Sequence, residues 1–366
     1  NKNNYARAFE LSSKAANIYK NIGNTSSDNY IKILLDVATS AILIGNTKEG
    51  KILSEKLVNH PNITIKQNAH INLRLISLSL KNYAAAEYHT EEIYKINRLN
   101  GFTDNILSAN NLVQLAMLKA RQGEVEAAWE KADLAKTTIT KHISKVFSFA
   151  SEKDKFAQAN GLVASFNDFY ISLGLIQLEQ ESTAENIFTT VSVFKNIIMD
   201  SLIRQKATIN SDPKLKKIYK DLNSTKQNYT NLKLHSLIHG STGVIQNQSD
   251  RDKKFEELSK KIEQLENNIN RMNSKAKNSS SIKNFDLPAT QSSLHDDSVI
   301  IEFSKLNIFN RSGWATTKYV AFVLNKGKFD QNSVKDLGDS ELIDSKIREF
   351  RSLIQNKNNE TEVKKI

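Results

Sequence analysis

The chain has 366 residues, 39% of them hydrophobic, and a formal net charge of +11. It holds no cysteine, which removes structural disulfides, thiolate zinc sites and cysteine nucleophiles from this piece. No apolar run approaches the ~18–20 residues that a membrane-spanning helix needs, and three prolines in the whole length suit a helical array, because an interior proline costs about 3 kcal/mol.

The lysines are scattered and seldom alternate with aromatic residues. The excess charge therefore reads first as solvated helix surface, with nucleic acid as the rival partner. A cytoplasmic location is the expectation, although cysteine usage alone does not separate it from a cysteine-poor secreted chain.

From the first residue the pattern is helical and repetitive. The clearest unit is Ala109 to Lys136, turning at Arg121-Gln122-Gly123-Glu124. Ala116 stands seven before Gly123, Ala128 five after it and Ala135 twelve after it, with Leu112, Leu115 and Leu134 at apolar positions. Two helices joined by a tight turn pack closely only where small residues face each other, and a glycine supplies the helix stop. Around Gly45 the same spacing places Ala38, Gly50 and Leu57. Around Lys81 it places Arg74, Ala86 and Ile93, with arginine where the first small residue is expected. Around Asn3 only a second helix remains, with Tyr5, Ala8, Ser12 and Ala15. The anchors Asn3, Gly45, Lys81 and Gly123 are 42, 36 and 42 residues apart.

These residues resemble the tetratricopeptide repeat, including its longer form of about 42 residues, over 1–141. An ordinary helical bundle with alanine contacts is the alternative. A repeat of this kind buries its apolar face only against neighbours, and the stack leaves a concave face lined by the first helix of each pair. In the last full unit that face carries Asn110, Val113, Met117 and Arg121, the candidate groove for a protein or peptide ligand.

Beyond His142 the register changes. Phe156, Leu162, Phe166, Phe169, Tyr170 and Leu173 give one apolar face, and Ala184, Ile187, Val191, Phe194, Ile198 and Leu202 give its partner. This aromatic-rich pair is expected to cap the array over 142–208. Asp212-Pro213 is a helix start, followed by Leu215, Ile218, Leu222, Tyr229 and Leu232, with polar Thr225 at one seam position. His239-Gly240-Ser241-Thr242-Gly243 interrupts it. Phe255, Leu258, Ile262, Leu265, Ile269 and Met272 then repeat at alternating spacings of three and four, a heptad seam. An antiparallel coiled-coil hairpin over 209–276 is expected, with a dimeric coiled coil as the rival. A Ser/Asn/Lys-rich linker fills 277–295.

The period changes at 296–366. Ser298–Phe303 and Lys318–Leu324 read as strands, Ser333–Gly338 as a weaker third, and Glu341, Ile343, Ile347, Phe350 and Ile354 follow helical spacing. A unit of three strands and a helix opens an α/β domain and is too short to complete one. Since the helical pattern also reaches Asn1, both ends are expected to lie inside a longer chain.

No catalytic constellation appears. His235 and His239 share a helix face but lack recognisable further metal ligands. Asp296 and Asp297 are neighbours at a strand entry and would point to opposite faces, which does not suit acid–base work. Gly240 and Gly243 lack the strand–helix context and Lys-Ser/Thr pair of a phosphate loop. No metal and no cofactor is expected.

The order of segments carries a wider resemblance. A repeat array leads through the Phe149-Ala150-Ser151-Glu152 entry to a long hairpin. Asp297-Ser298-Val299-Ile300-Ile301-Glu302-Phe303 and Tyr319-Val320-Ala321-Phe322-Val323-Leu324 follow, then Asp336-Leu337-Gly338, Ile343-Asp344 and a helix through Arg348, Phe350 and Arg351. The whole resembles bacterial proteins of the TPR–CHAT family, in which repeats precede a caspase-like peptidase domain. The resemblance implies a mainly α chain: a TPR-like α-solenoid, then the hairpin, then the opening strands and helix of an α/β caspase-like domain. The family's catalytic pair is a cysteine thiolate and its histidine base on later strands. Neither can be placed here: there is no cysteine, and His295 precedes the first strand. The resemblance therefore implies a non-catalytic sensor or scaffold portion of a cysteine peptidase. The rivals are an interaction scaffold with a degenerate domain and a ribonucleoprotein-binding array.

Overall fold

In a computed structural model the described residues are 2–103, 105–147, 150–158, 161, 163–239, 248–275 and 285–355. The chain is mainly helical, with a small three-stranded antiparallel sheet near its C-terminal end. It divides into two compact units, Asn1–Ile139 with Phe309–Ala315, and Thr140–Ile308 with Thr316–Ile366.

The first unit holds α1 (Lys2–Asn21) and three helix pairs: α2 (Asp28–Ile44) with α3 (Thr47–Leu57), α4 (Ile63–Ser79) with α5 (Tyr83–Leu99), and α6 (Ile106–Gln122) with the part of α7 (Val125–Phe147) up to Ile139. Side-chain oxygens of Ser27, Asn62 and Asn105 accept backbone N–H groups at the start of each first helix, satisfying donors that a helix start leaves orphaned. The three turns are alike. Gly45, Lys81 and Gly123 all have left-handed backbones, with φ of 94°, 55° and 84°. After each, the next N–H reaches back to close the helix end: Asn46 to Ala41 O at 2.8 Å, Asn82 to Ser77 O at 2.8 Å and Glu124 to Lys119 O at 3.0 Å. Glycine takes this conformation without steric cost, whereas Lys81 adopts it against a penalty of roughly 1–2 kcal/mol. The fourth anchor, Asn3, falls within the first turn of α1 rather than at a turn.

The small-residue spacing marks the helix contacts. Ala38, Ala86, Ala116, Ala128 and Ala135 are fully buried, and Leu57 and Ile93 nearly so. Leu134 departs from expectation and is exposed. Arg74, in the place of the first small residue, buries its Nε without a partner among the described residues, and burial lowers its pKa.

The second unit begins at Thr140, within the last turns of α7, and continues with α8 (Glu152–Gln158), α9 (Ala164–Ile176) and α10 (Thr183–Ser211). The aromatic face expected to be one element is thus divided between two helices, and Phe156 on α8 is exposed while Phe166, Phe169 and Tyr170 on α9 are buried. Leu162, and the side chains of Ile198 and Leu202, lie outside the described residues. Phe166 packs at 5.4 Å from Tyr170 and 5.9 Å, edge-on, from Phe194.

Next come α11 (Pro213–His239) and α12 (Gln248–Lys275). Asp212 accepts the Lys214 N–H at 2.8 Å, the start that the Asp-Pro pair predicts. Leu215, Leu222 and Ile269 form a core with Ile209, against which Ile218, Ile262, Leu265 and Met272 pack. Thr225 at the seam is buried and returns its hydroxyl to the Asp221 carbonyl at 2.7 Å. Residues 240–247 and 276–284, including Gly240, Gly243 and the first part of the expected linker, lie outside the described residues, as do Phe149 and the His235 and His239 side chains. The linker's last part is helical: α13 (Leu287–Ser293) is capped by Asp286, which accepts the Ala289 N–H at 2.9 Å.

The sheet runs β1 (Ile300–Asn310), β2 (Gly313–Leu324) and β3 (Val334–Asp339), and α14 (Ser340–Gln355) follows. β2 and β3 are antiparallel, pairing Phe322 with Val334 and Lys318 with Asp339, with a bulge between Tyr319 and Val320. Phe188 of α10 anchors the sheet, 5.7 Å from Phe322, 4.8 Å from Phe329 and 5.5 Å from Phe285. The outer edge of β1 is covered by side chains. Asp168 accepts from the Asn307 N–H at 3.1 Å and Nδ2 at 2.8 Å, Ser172 donates to Asn307 O at 3.4 Å, and Lys195 donates to Phe303 O. Such covering removes the open ladder that makes an edge strand adhesive. Burial pushes the Asp168 carboxyl above its ordinary pKa, against the two Asn307 hydrogen bonds. On α14, Leu342, Ile347, Phe350 and Ile354 are exposed, as are Ile301 and Phe303 on β1.

Candidate peptide-binding face

Helix α6 presents the residues that the sequence singled out. Asn105 caps its start through the Ser108 N–H at 3.0 Å, and Gly123 ends it. Ala109, Leu112, Leu115 and Ala116 occupy the buried side, which fixes the rotation of the remainder. Asn110 is exposed, Val113 buried, and Met117 and Arg121 half-buried. Spacings of three, four and four residues place them along one stripe of a helix.

Arg121 is the most engaged of the four. Its guanidinium lies 5.4 Å from the centre of the Tyr83 ring and 5.7 Å from that of Phe309. Contacts at this range draw on the ring quadrupole and contribute about 0.5–2 kcal/mol each, more as water is excluded. Below Arg121 a charged cluster ties α5 to the α6–α7 turn. Lys119 Nζ lies 2.8 Å from Glu87 and 2.8 Å from Glu124, and Gln122 donates to Glu87 at 2.6 Å. The hydrogen bonds to Glu124 and Glu87 hold the Lys119 ammonium above its ordinary pKa. Asn111, beside the predicted Asn110, was not singled out by the sequence. It is 6% exposed, and its Nδ2 has no acceptor among the described residues. Aromatic, cationic and amide groups in this arrangement can hold a chain segment.

A second feature also escaped the sequence reading. His70 of α4 and His89 of α5 bring their Nδ1 atoms to 3.1 Å, with Tyr88 edge-on to both rings. One ring must donate to the other, so the pair is stable while at least one is neutral. Burial, then the neighbouring His70, lowers His89 to about 4, with Glu92 opposing. Burial also lowers His70, with Glu92 opposing and Lys66 adding to the shift. Both folded values lie below the unfolded one near 6.5. The stabilisation is therefore complete above about pH 6.5 and is lost as the pH falls toward 4. His89→Gln should lose less melting temperature than the wild type between about pH 7.5 and about pH 5, measured by circular dichroism. Equal losses would show that the pair does not couple protonation to folding.

In the second unit, Ser151, Phe156, Lys226, Tyr229, Thr230, Ser259, Ile262, Glu263 and Glu266 line a cleft of about 390 Å³. Its volume falls in the range of small-molecule pockets. Within its lining Lys226 and Glu266 form an ion pair at 2.8 Å. Asp296 and Asp297 are both exposed, and Asp296 pairs with Lys326 at 2.6 Å. Among the described residues no three histidine or acidic side chains could together hold a metal ion, and no helix is long and apolar enough to cross a membrane. No family model matches the chain, and no curated protein or solved structure matches it.

Proposed function

We propose that this chain is the protein-interaction and regulatory portion of a bacterial TPR–CHAT protein, itself without catalytic residues. The observation that carries the reading is the repeated helix stop. Three helix pairs turn at left-handed residues 36 and 42 positions apart, Gly45, Lys81 and Gly123, each with a small residue buried five positions later. This repetition supports a TPR-like solenoid, whose inner helices would present a ligand face. The seam of Phe255, Ile262 and Ile269 against α11 supports a coiled-coil hairpin following the array. Tyr229 meets Phe255 while Lys226 meets Glu266, so the contacts run in opposite sequence order, as an antiparallel hairpin requires. The exposed apolar stripe of α14, with Ile301 and Phe303, suits a sheet built to be extended and covered, as an α/β caspase-like domain would be.

The ligand of the α6 face is a peptide or protein segment, and the hairpin couples its binding to the peptidase by favouring one conformation. A random-peptide display selection on the full chain should yield ligands whose affinity drops about tenfold in Arg121→Ala, the equivalent of ~1.4 kcal/mol. The same chain should not turn over fluorogenic peptides. Selected ligands indifferent to Arg121, or turnover by the chain alone, would overturn the reading. The +11 charge keeps an RNA-binding array as the second reading; binding that weakens steeply with salt would favour it.

A further inference from the structure

The segment Phe309–Ala315 belongs to the first compact unit although it is far from the rest of that unit in sequence. It is a tight turn, Phe309-Asn310-Arg311-Ser312-Gly313, in which Asn310 accepts the Ser312 N–H at 2.8 Å. Its contacts with α6 are reciprocal. The Arg121 guanidinium of the helix lies over Gly313 of the turn, so close that a Cβ there would sit 2.7 Å from Arg121 Nη2. The Arg311 guanidinium of the turn lies over Gly123 at the helix stop, where a Cβ would sit 2.9 Å from Arg311 Nη2. Both glycines have positive φ, 112° and 84°, so each site sets a backbone that disfavours side chains beneath the end of an arginine. Phe309 is 3% exposed and completes a stack of Tyr83, Arg121 and Phe309, with Trp314 edge-on to Phe309 at 5.2 Å.

Resting on the peptide-binding reading above, we infer that the turn is a built-in occupant of the α5–α6 face. It shows what that face takes: a tight loop carrying an aromatic residue, an arginine two positions on and a glycine two further, the order of Phe309, Arg311 and Gly313. A partner segment of this chemistry meets the same Tyr83, Arg121 and Gly123, and it binds only when the turn leaves. Because the turn is tethered, it competes at an effective concentration on the order of millimolar, so the free face is hidden from partners present at micromolar levels.

The test uses the full chain and a fluorescent peptide of residues 307–316. Gly313→Val places a branched side chain at a φ of 112°, which disfavours the docked backbone of the turn and changes no residue of the α5–α6 face. Fluorescence anisotropy should show binding to this variant at least about tenfold tighter than to the wild type. Adding Arg121→Ala should abolish the gain, and a peptide lacking the phenylalanine should not bind. Phe309→Ala carries the same comparison without backbone strain, should Gly313→Val fail to fold by circular dichroism. A released chain that binds the peptide no tighter than wild type, or equally well without Arg121, overturns the inference. If display-selected peptides then still bind through Arg121 but lack the aromatic–arginine–glycine order, the self-occupancy inference fails and the peptide-binding reading survives. If no peptide binds the released chain, both fail.

Discussion

Glu266→Ala is expected to cost about 3–5 kcal/mol in the unfolding transition of the second unit, the range for removing one partner of a buried ion pair. The Glu266 side chain on α12 is only 5% exposed, and its carboxylate lies 2.8 Å from Lys226 Nζ on α11. One turn further along α12, Asn270 is buried and donates to the Ala150 carbonyl, so this side of the helix is a polar strip excluded from water. Deleting the carboxylate takes from the Lys226 ammonium its 2.8 Å partner. Lys226 is 31% exposed and can turn partly to solvent, which places the loss toward the lower end. Glu266→Gln keeps the volume and should cost less. Replacing Glu266 and Lys226 together by methionine should recover most of the loss, since an apolar pair of similar size is often as stable as a buried ion pair. Urea denaturation followed by circular dichroism measures each case, with the two units' transitions fitted separately. A cost for Glu266→Ala below about 1 kcal/mol would mean that the pair behaves as an exposed bridge.

What the sequence made legible was periodic, and what it hid was long-range. The helix stops at Gly45 and Gly123 follow from glycine, and the buried alanines from a constant offset to those stops. The Asp212-Pro213 start and the heptad apolar positions of α12 were equally local. The strand cores at 300–303 and 318–324 were visible through β-branched and aromatic residues, but the observed strands continue through Ser304–Asn310 and Gly313–Thr317. Those extensions set Leu306, Ile308, Phe309 and Trp314 among polar residues, and their polar groups pair with each other and with α9 side chains such as Asp168; the mixed run is weaker in strand propensity than the two cores, and its tertiary partners complete the strands. Arg121 was found as a face residue because α6 has a clear buried side. Its neighbour Phe309 lies nearly two hundred positions later, and no spacing rule joins them. The histidine pair was within reach. His70 stands eleven residues before Lys81 and His89 eight after it, and residues at similar distances from the turn of a helical hairpin face one another. Attention to equal spacing within one helix pointed instead to His235 and His239.

The small-residue positions five after each helix stop, Gly50, Ala86 and Ala128, make the sharpest test of the repeat. All three are buried. At Gly50 an added Cβ would fall 2.4 Å from Ile42 Cγ1 and 3.0 Å from the Ala38 carbonyl oxygen. The Ile42 side chain can rotate away, but the Ala38 carbonyl belongs to the backbone of α2 and can yield only if the helices part. Gly50→Ala therefore sets a helix-propensity gain of about 1 kcal/mol against a contact that does not fully relax, and a net loss is expected. Gly50→Leu cannot be accommodated without separating α2 from α3, and should cost about 3 kcal/mol or more, above the usual overpacking range of 1–3. Ala86→Leu and Ala128→Leu should each fall within that range, because fully buried alanine positions have no spare volume but start from a Cβ already in place. Leu134→Ala is the control: Leu134 is apolar yet 46% exposed, so its truncation should change little. Guanidinium denaturation of the first unit's transition, with hydrogen exchange along the affected pair, separates these outcomes. Local opening confined to the substituted pair and its neighbours is expected if stability is a sum over stacked units. A Gly50→Leu cost below about 1 kcal/mol, or a loss spread evenly over the whole chain, would show that the small residues do not set the helix approach and that the 42- and 36-residue spacing has no structural meaning.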